Sequence, residues 1–286
     1  MIRIFTDTSA NLPADIIKNH NIGVIPFTYI INGKETVPDG KTDFDGKSYY
    51  NLVRAGADVK TSMISPGLME SSFRECLENG DDVLYVGMSG GISGTAQTAR
   101  NVANELKEEF PERQIETIDT YAASLGEGLQ VLKAAQMLEG GISFKDTVNF
   151  LLDFRNNMCQ YFTVDDLKYL KRGGRISSAA AAVGTLLNIK PILKGDAEGH
   201  IVSCGKARGN RAALKTLAEK FGELARDKKE LVGIAHADNE EGAAELLSNL
   251  KSAGFKGKCL TVCYEPVTGA HVGPGTVALF FPGIHK

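Results

Sequence analysis

The sequence predicts an α/β protein made of two domains. In the first half of the chain, short apolar runs typical of buried strands alternate with longer stretches typical of amphipathic helices. That alternation indicates a Rossmann-like parallel sheet with helices on its faces. In the second half, hairpin signals interrupt the alternation, which favours a mixed sheet. We therefore expect an N-terminal domain over residues 1–157 and a C-terminal domain over residues 158–286.

The elements of the first domain follow from apolar periodicity and from the residues that begin and end helices. Strands are predicted at residues 2–6, 24–31, 35–37, 83–86 and 114–118. Helices are predicted at residues 13–19, 49–55, 66–78, 96–110, 122–139 and 144–155. Asn32-Gly33, between two of the strands, is typical of a type I′ hairpin turn.

In the predicted second domain, strands and helices alternate less regularly than in the first. Strands are predicted at residues 160–164, 190–194, 200–204, 231–235, 259–264 and 276–281. Helices are predicted at residues 212–228 and 240–252, and an alanine-rich helix is predicted at 176–187. Residues 195–199 read as the loop of a hairpin, which requires antiparallel pairing within this sheet.

Length and composition exclude several classes of protein. With 286 residues, 43% of them hydrophobic and 23% charged, the chain is typical of a soluble globular protein. A net charge of −3 does not indicate a protein that binds nucleic acid. No apolar run in the sequence is long enough to span a membrane. The cysteines are scattered without a C-x-x-C pair, so we expect reduced thiols and no metal site. The first residues read as a strand and not as a signal peptide, which predicts a cytoplasmic protein.

The loop at residues 89–95 is the most informative segment. It follows an apolar strand, precedes a helix, and carries the hydroxyls of Ser89, Ser93 and Thr95 but no lysine. Backbone N–H groups converge on anions at such strand–loop–helix junctions. The composition of the loop predicts a carboxylate or phosphate held by neutral donors.

A second hydroxyl-rich segment, at residues 61–67, contains Thr61, Ser62 and Ser65 just before a predicted helix. Helix capping alone would explain either segment, because serine and threonine are preferred caps. Two such loops at the ends of strands in one parallel sheet would, however, gather at the edge where ligands bind. We therefore expect the two segments to face a common site.

Residues 87–91 also fit the G-x-S-x-G elbow of α/β-hydrolases, with Ser89 as nucleophile and His271 downstream. No oxyanion segment of the H-G-G-G type precedes this elbow, and the helix is expected to start beyond Ser93. A serine hydrolase thus stays an alternative, as does a module that binds a small phosphorylated metabolite. The sequence has no G-x-x-x-x-G-K-[ST] loop for ATP.

Two further segments carry charge or a titratable side chain. His271 lies among glycines before the last predicted strand, either in a solvated turn or in a loop shaped to deliver the imidazole to a site. Lys171, Arg172 and Arg175 surround two glycines, and Arg208 would add to the same positive side. Such cations are either solvated or dock an acidic or phosphate-bearing partner.

In this order, the motifs resemble the DegV family of bacterial fatty acid-binding proteins over nearly the whole chain. The most specific stretch is residues 170–177, Leu-Lys-Arg-Gly-Gly-Arg-Ile-Ser. The others are Thr6-Asp7-Thr8-Ser9, Pro26, Asp39-Gly40, Tyr49-Tyr50, Thr61-Ser62 with Ser65, Ile92-Ser93-Gly94-Thr95, residues 189–193 and His271-Val272-Gly273-Pro274-Gly275. Met63 replaces a polar residue of the family pattern and Ser89-Gly90-Gly91 a double serine, which would alter the shape and selectivity of the loops.

The resemblance implies a function similar to that of the acyl-carrying subunit of bacterial fatty acid kinase. Such a protein holds one long-chain fatty acid in a tunnel between its two domains. A separate ATP-dependent kinase phosphorylates the bound carboxyl group, and the acyl phosphate feeds phospholipid synthesis. The chain itself would then be a carrier and not an enzyme, with the fatty acid as ligand and no other cofactor, metal or nucleic acid. A transient contact of the protein with a membrane is compatible with the resemblance.

The resemblance also implies roles for particular residues. Thr61 and Ser93 would hydrogen bond to the carboxylate, and His271 would lie beside it. The neighbours that complete the carboxylate site would be Ser62, Gly94 and Thr95. Arg172, together with Lys171 and Arg208, would belong to the surface that meets the kinase.

The physical chemistry of a fatty acid agrees with these roles. Burial of each methylene stabilises the complex by about 0.8 kcal/mol, so the protein must provide a long apolar cavity. A buried carboxylate must be hydrogen bonded, and hydroxyls and backbone amides meet that need. We further expect no lysine or arginine to lock the carboxylate in an ion pair, which would leave it nucleophilic.

Overall fold

The computed structural model describes residues 1–38, 44–177 and 188–284. The Asp39-Gly40 motif, His285 and all but the first two residues of the predicted helix at 176–187 lie outside the described residues. The strands are β1 (Ile2–Asp7), β2 (Gly23–Ile25), β3 (Thr28–Ile31), β4 (Lys34–Thr36), β5 (Val59–Ser62), β6 (Asp82–Gly87), β7 (Ile115–Asp119), β8 (Met158–Thr163), β9 (Ile189–Gly195), β10 (Ile201–Arg208), β11 (Val232–His236), β12 (Cys259–Cys263) and β13 (Val277–Pro282). The α-helices are α1 (Ala14–Asn19), α2 (Gly46–Arg54), α3 (Pro66–Glu78), α4 (Thr95–Glu109), α5 (Leu125–Glu139), α6 (Phe144–Phe154), α7 (Lys168–Arg172), α8 (Asn210–Leu224), α9 (Glu240–Ser252) and α10 (Pro266–Val272).

Two large sheets confirm the predicted fold class. The N-terminal half forms a four-stranded sheet in the order β2-β1-β6-β7, and every pair in it is parallel. The C-terminal half forms a six-stranded sheet in the order β10-β9-β8-β13-β11-β12. Among the described strands of that second sheet only β11 and β12 pair in parallel, so the sheet is mixed.

A small antiparallel sheet, β4-β3-β5, was not predicted. The predicted strand at 24–31 is divided near Pro26, which has no N–H to donate to a ladder, and its two parts join different sheets. The predicted hairpin between β3 and β4 is confirmed. Ile31 pairs with Lys34, and both Asn32 and Gly33 have the positive φ that a type I′ turn requires.

The helix α5 lies between the two large sheets and joins their cores. Leu125 and Leu129 of α5 share one apolar cluster with Ile4 and Leu84 of the parallel sheet and with Phe280 of the mixed sheet. The outer face of the parallel sheet is covered by α3 and α4, and that of the mixed sheet by α8 and α9. The chain thus stacks helices, sheet, helix, sheet and helices, as one-sided apolar faces require.

Two helix boundaries differ from the sequence prediction in ways that matter for the site. The helix predicted at 122–139 begins at Leu125, because Tyr121 and Ser124 both have positive φ. His271, predicted to lie in a loop, is in the short helix α10. Pro266 begins that helix, and the Glu265 side chain accepts hydrogen bonds from the N–H groups of its first turn.

Candidate functional site

An internal cavity lies between the loops that follow the parallel sheet and the inner face of the mixed sheet. Its empty space measures about 870 Å³, including the open mouth. Apolar side chains from both halves of the chain form most of the wall, among them Phe27, Met88, Ile92, Phe162, Val267 and Phe280. A cavity of this kind favours an apolar ligand.

The polar part of the wall brings together most of the predicted ligand-binding residues. The side chains of Thr61, Ser62, Ser93 and His271 line the same cavity. Nε2 of His271 lies 2.9 Å from Oγ1 of Thr61. The cavity therefore has an apolar body and a cluster of neutral hydrogen-bonding groups, as an amphipathic ligand requires.

The hydroxyls of Ser93 and Thr95 are coupled at the start of α4. Oγ of Ser93 donates to Oγ1 of Thr95 at 3.0 Å and accepts from the Thr95 N–H at 3.3 Å. Thr95 itself is fully buried, and Gly94 occupies the cap position before it. Helix α4 thus begins beyond Ser93, as predicted, and Thr95 orients Ser93 at the cavity wall.

Thr61 and Ser62 line the cavity from a different structural element than the one predicted. They lie in β5 of the small antiparallel sheet and not in a loop at the edge of the parallel sheet. The two segments nevertheless meet, because a side-chain carbon at Gly94 would approach Sδ of Met63 to 2.5 Å. The absence of a side chain at Gly94 lets the two segments lie in contact.

The glycine-rich loop also contacts the hairpin between β9 and β10. A side-chain carbon at Gly91 would lie 2.7 Å from the backbone carbonyl carbon of Gly199. Oγ of Ser89 donates to the carbonyl oxygen of Gly199 at 3.0 Å and accepts from the Gly91 N–H at 3.1 Å. Ser89 is fully buried, whereas His271 is bonded to Thr61. The geometry gives Ser89 a structural role and does not assemble a nucleophile–base pair.

A buried pair of carboxyl groups fixes the end of β1 beneath the cavity. Asp7 accepts hydrogen bonds from Tyr85 at 2.7 Å and from the Met88 N–H at 3.2 Å. Oγ of Ser9 contacts both Asp7 and Glu127. A hydroxyl has one hydrogen, so one of the two carboxyl groups must itself be protonated and donate to Ser9.

The proton of this pair belongs to Glu127. Burial raises the pKa of Glu127 well above its ordinary value, and the Asp7 charge raises it further. Burial also raises the pKa of Asp7, but hydrogen bonds from Ser9, Tyr85 and Met88 oppose that shift. More donors face Asp7 than Glu127, so the ionised form is Asp7, which then holds the Met88 N–H at the cavity edge.

His271 is neutral in this environment. Burial, together with the positive charges of Arg175 and Arg172, lowers the pKa of the imidazole to about 4. A neutral histidine has one ring N–H donor and one ring acceptor. His271 therefore contributes hydrogen bonding at neutral pH and no charge.

Arg175 is the one cation on the described part of the cavity wall, where it lies beside Thr61 and His271. The expectation that no lysine or arginine locks the carboxylate in an ion pair stays a prediction. Nε of Arg175 donates to the carbonyl oxygen of Ile92 at 3.1 Å, and a second nitrogen donates to the Gly173 carbonyl. Burial lowers the pKa of the guanidinium, and no carboxylate among the described residues pairs with it.

The other predicted cations are exposed. Arg172 and Lys171 end helix α7, and the Arg172 guanidinium lies 5.6 Å from the centre of the Tyr169 ring. Arg208 ends β10, roughly 23 Å along that strand from Ile201 at the cavity. The structure thus brings Arg172 close to His271 but leaves Arg208 remote from the cavity.

Other observations limit the chemistry of the site. Across residues 1–38, 44–177 and 188–284, no group of histidine, cysteine and acidic side chains could hold a metal ion. No helix in those ranges is long and apolar enough to cross a membrane. None of the five cysteines, all of which lie in the described ranges, forms a disulfide bond.

The fold and the site define an α/β protein with two large sheets and a largely apolar internal cavity that has a polar wall. The chain belongs to the DegV family: residues 1–282 match the family model described as "Uncharacterised protein, DegV family COG1307". A DegV domain-containing protein of Clostridium perfringens is 36% identical over 285 residues, which cover 99% of this chain and 98% of the relative. The resemblance read from the sequence is confirmed.

Solved structures share the fold over almost the whole chain. A DegV family protein of Thermus thermophilus, described by its fatty acid binding, is 33% identical with a TM-score of 0.88, and 99% of each chain is covered. A fatty acid-binding DegV family protein of Streptococcus agalactiae is 31% identical with a TM-score of 0.87, covering 98% of each chain. DegV of Bacillus subtilis, also a fatty acid-binding protein, is 29% identical with a TM-score of 0.84, again over 98% of each chain.

Proposed function

We propose that this protein binds one long-chain fatty acid, with the alkyl chain in the internal cavity and the carboxylate at the wall formed by Thr61, Ser93 and His271. The observation that carries the proposal is the single cavity surface that joins a mostly apolar wall to these polar side chains. Ser62, Gly94 and Thr95 complete the carboxylate site. The fatty acids bound by relatives that are 29–33% identical support the same ligand class.

The polar wall suits a carboxylate that has to react. The hydroxyls of Thr61 and Ser93 are neutral, and His271 is neutral because its pKa is lowered to about 4. Arg175 supplies the positive charge that a buried carboxylate needs, while carbonyl oxygens occupy part of its donor set. The carboxylate is thereby bound while keeping lone pairs available for attack.

The proposed reaction takes place on a separate ATP-dependent kinase. One carboxylate oxygen forms a bond to the γ-phosphorus of ATP as the bond from that phosphorus to the β–γ bridging oxygen breaks, and ADP leaves. The product is an acyl phosphate, which feeds phospholipid synthesis. The chain acts as a cytoplasmic carrier and cosubstrate without catalysing the transfer, and Arg172, Lys171 and Arg208 meet the kinase.

The first test is mass spectrometry of the purified protein, under native conditions and after denaturation with solvent extraction. We expect a co-purifying mass in the range of a long-chain fatty acid. A protein that carries no ligand and takes up neither added oleate nor palmitate would contradict the proposal.

A second test addresses the carboxylate site. Thr61→Ala combined with Ser93→Ala removes two hydroxyls and should weaken fatty acid binding about a hundredfold or more, since each lost hydrogen bond to a charged group costs about 1.5–3 kcal/mol. Ser71→Ala, on the exposed face of α3, is the matched control. Unchanged retention in the double variant would refute the assignment of these donors.

A further inference from the structure

Met63 follows β5 directly and lies at the mouth of the internal cavity. It lines the cavity together with Thr61 and Ser93, and its relative exposure to solvent is 55%. Its thioether therefore belongs both to the wall of the cavity and to the surface of the protein. A small solute can change such a side chain without entering the cavity.

The contact between Met63 and Gly94 places the methionine sulfur beside the proposed carboxylate site. A side-chain carbon at Gly94 would lie 2.5 Å from Sδ of Met63 and 3.4 Å from its methyl carbon. Gly94 separates Ser93 from Thr95, whose two hydroxyls are hydrogen bonded to each other at 3.0 Å. An atom added to the sulfur therefore changes the contact between the segment that carries Thr61 and the segment that carries Ser93.

Met63 is also the cavity methionine that a dissolved oxidant can reach. Of the six methionines, three are at most 6% exposed, namely Met69, Met88 and Met158. Met137 is half-buried and Met1 is 94% exposed, but neither of them lines the cavity. Oxidation of methionine at the cavity wall should therefore be confined to Met63.

The cysteines compete poorly for the same oxidant. Peroxide reacts with the thiolate form of a cysteine, whereas a thioether needs no deprotonation. Burial raises the pKa of four of the thiols, those of Cys76, Cys204, Cys259 and Cys263, so they stay protonated at neutral pH. The fifth cysteine, Cys159, is buried.

We propose that Met63 is a site of reversible oxidation and that its sulfoxide lowers the affinity of the protein for a fatty acid. A lone pair on the sulfur forms a bond to one oxygen of hydrogen peroxide as the O–O bond breaks. The hydrogen on that oxygen passes to the departing hydroxide, which leaves as water. The thioether is thereby oxidised, the peroxide is reduced, and methionine sulfoxide reductases reverse the change. This inference rests on the proposed function and adds a form of regulation to it.

The sulfoxide opposes fatty acid binding in two ways. It turns a flexible apolar side chain into a polar one, which weakens the contact of the wall with an alkyl chain. Its oxygen carries a negative partial charge and accepts hydrogen bonds. Beside Ser93 this oxygen competes with the fatty acid carboxylate for donors and repels it.

The test treats the lipid-free protein with millimolar hydrogen peroxide, removes the oxidant with catalase, and measures palmitate binding by calorimetric titration. Peptide mass spectrometry should find an added oxygen on Met63, with the exposed Met1 as the internal standard for complete reaction. The Kd for palmitate should rise about threefold to tenfold. A pair of methionine sulfoxide reductases, one for each sulfoxide epimer, should restore it.

Three variants assign the effect to this residue. Met63→Leu is apolar and of similar volume, and its own Kd for palmitate should not respond to peroxide. That variant keeps the other methionines and all the cysteines, so it controls for oxidation elsewhere. Met137→Leu, at a half-buried methionine away from the cavity, should respond as the wild type does. Met63→Gln places a polar carbonyl group at the site and should raise the Kd without any oxidant.

The outcomes separate this inference from the proposed function. The inference alone would be overturned if Met63 stays unoxidised while Met1 reacts completely, or if oxidised Met63 leaves the Kd for palmitate unchanged. An equal rise of the Kd in the wild type and in Met63→Leu would also overturn it. Failure of the untreated wild-type protein to bind palmitate would overturn the proposed function, and the inference with it.

Discussion

Nε2 of His271 lies 2.9 Å from the hydroxyl oxygen of Thr61, although 210 positions separate the two residues in the chain. The pair joins helix α10, which precedes the last strand of the mixed sheet, to β5 of the small antiparallel sheet. It forms part of the cavity wall and also lines a second depression on the outer side of that wall. Any change that moves one partner should therefore disturb the carboxylate site as a whole.

Gly173→Ala should weaken fatty acid binding about tenfold, the value of one lost hydrogen bond to a charged group. A side-chain carbon at this position would overlap Nδ1 of His271 and push the imidazole away from Thr61. The backbone φ of −72° suits alanine, so the effect is steric. Gly67→Ala, which meets nothing within 4 Å, should bind like the wild type in the same fluorescence displacement assay. Equal affinity in both variants would contradict the importance of the imidazole position.

Gly94→Ala should lower fatty acid affinity, and Met63→Ala should restore part of the loss. The new methyl group at residue 94 would meet Sδ of Met63 and separate the Thr61 and Ser93 segments. Because methionine is flexible, a decrease of about threefold to tenfold is expected. The double variant removes the collision. A double variant that binds no better than Gly94→Ala alone would show that the two segments are not coupled through this contact.

The neutral state of His271 predicts a specific dependence of stability on pH. Its folded-state pKa of about 4 lies below the ordinary value of 6.5, so the unfolded chain gains the proton first as pH falls. The free energy of unfolding should drop between pH 6.5 and pH 4. At pH 4.5 the loss due to this residue amounts to about 2–3 kcal/mol.

Urea unfolding of the wild type and of His271→Gln at pH 7 and pH 4.5 measures this contribution. The wild type should lose more stability on acidification than the variant, because other titrating groups are common to both. An equal loss in the two proteins would contradict the burial of a neutral imidazole.

The protonated state of Glu127 predicts the opposite sign. Its pKa is raised in the folded state, so its contribution to stability is present below the unfolded pKa of about 4.5 and is lost as pH rises toward the folded value. Glu127→Gln mimics the protonated acid and keeps partners for Thr6 and Ser9. The free energy of unfolding of the variant, relative to that of the wild type, should therefore rise by up to about 1.4 kcal/mol for each pH unit above 4.5.

Thermal or urea unfolding at pH 5 and pH 7.5 tests this expectation. Asp7→Asn serves as the contrasting variant, because an amide nitrogen cannot accept the hydrogen bonds that Asp7 receives, and it should be destabilised at both values of pH. A Glu127→Gln variant that loses stability relative to the wild type at pH 7.5 would place the proton elsewhere.

Ser89→Ala should reduce stability and leave no catalytic defect to detect. It removes the partner of the Gly199 carbonyl and of the Gly91 N–H, which costs about 1–3 kcal/mol when such groups are buried. A fluorophosphonate probe should not label the wild-type protein. Ser89 is fully buried, and the imidazole of His271 is hydrogen bonded to Thr61 instead. Labelling that disappears in Ser89→Ala would instead support the hydrolase.

The sequence predicted the two large sheets well because their strands carry strong local signals. The apolar run that became β6 and the hairpin between β9 and β10 lie where periodicity and turn residues place them. The small sheet β4-β3-β5 was missed in part because its strands are short and half exposed. Buried and exposed residues therefore do not alternate regularly along them.

The sequence predicted which residues form the site better than it predicted which helices and strands carry them. Thr61, Ser93 and His271 were selected from the sequence, and the structure brings all three to one cavity. That Thr61 lies on a strand and His271 on a seven-residue helix depends on contacts between distant parts of the chain. Arg175 was identified only as one of several cations, because nothing local indicates which of neighbouring arginines turns inward.

The position of β13 bears on how the protein is made. This strand follows every other described strand in the chain, yet it lies between β8 and β11 near the middle of the mixed sheet. Until the ribosome has released it, those two neighbours present unpaired edges, and parts of the sheet cannot close. Since Phe280 of β13 and His271 just before it both line the cavity, the cavity wall is incomplete until β13 has been synthesised and paired. The proposed loading with lipid must therefore wait for β13.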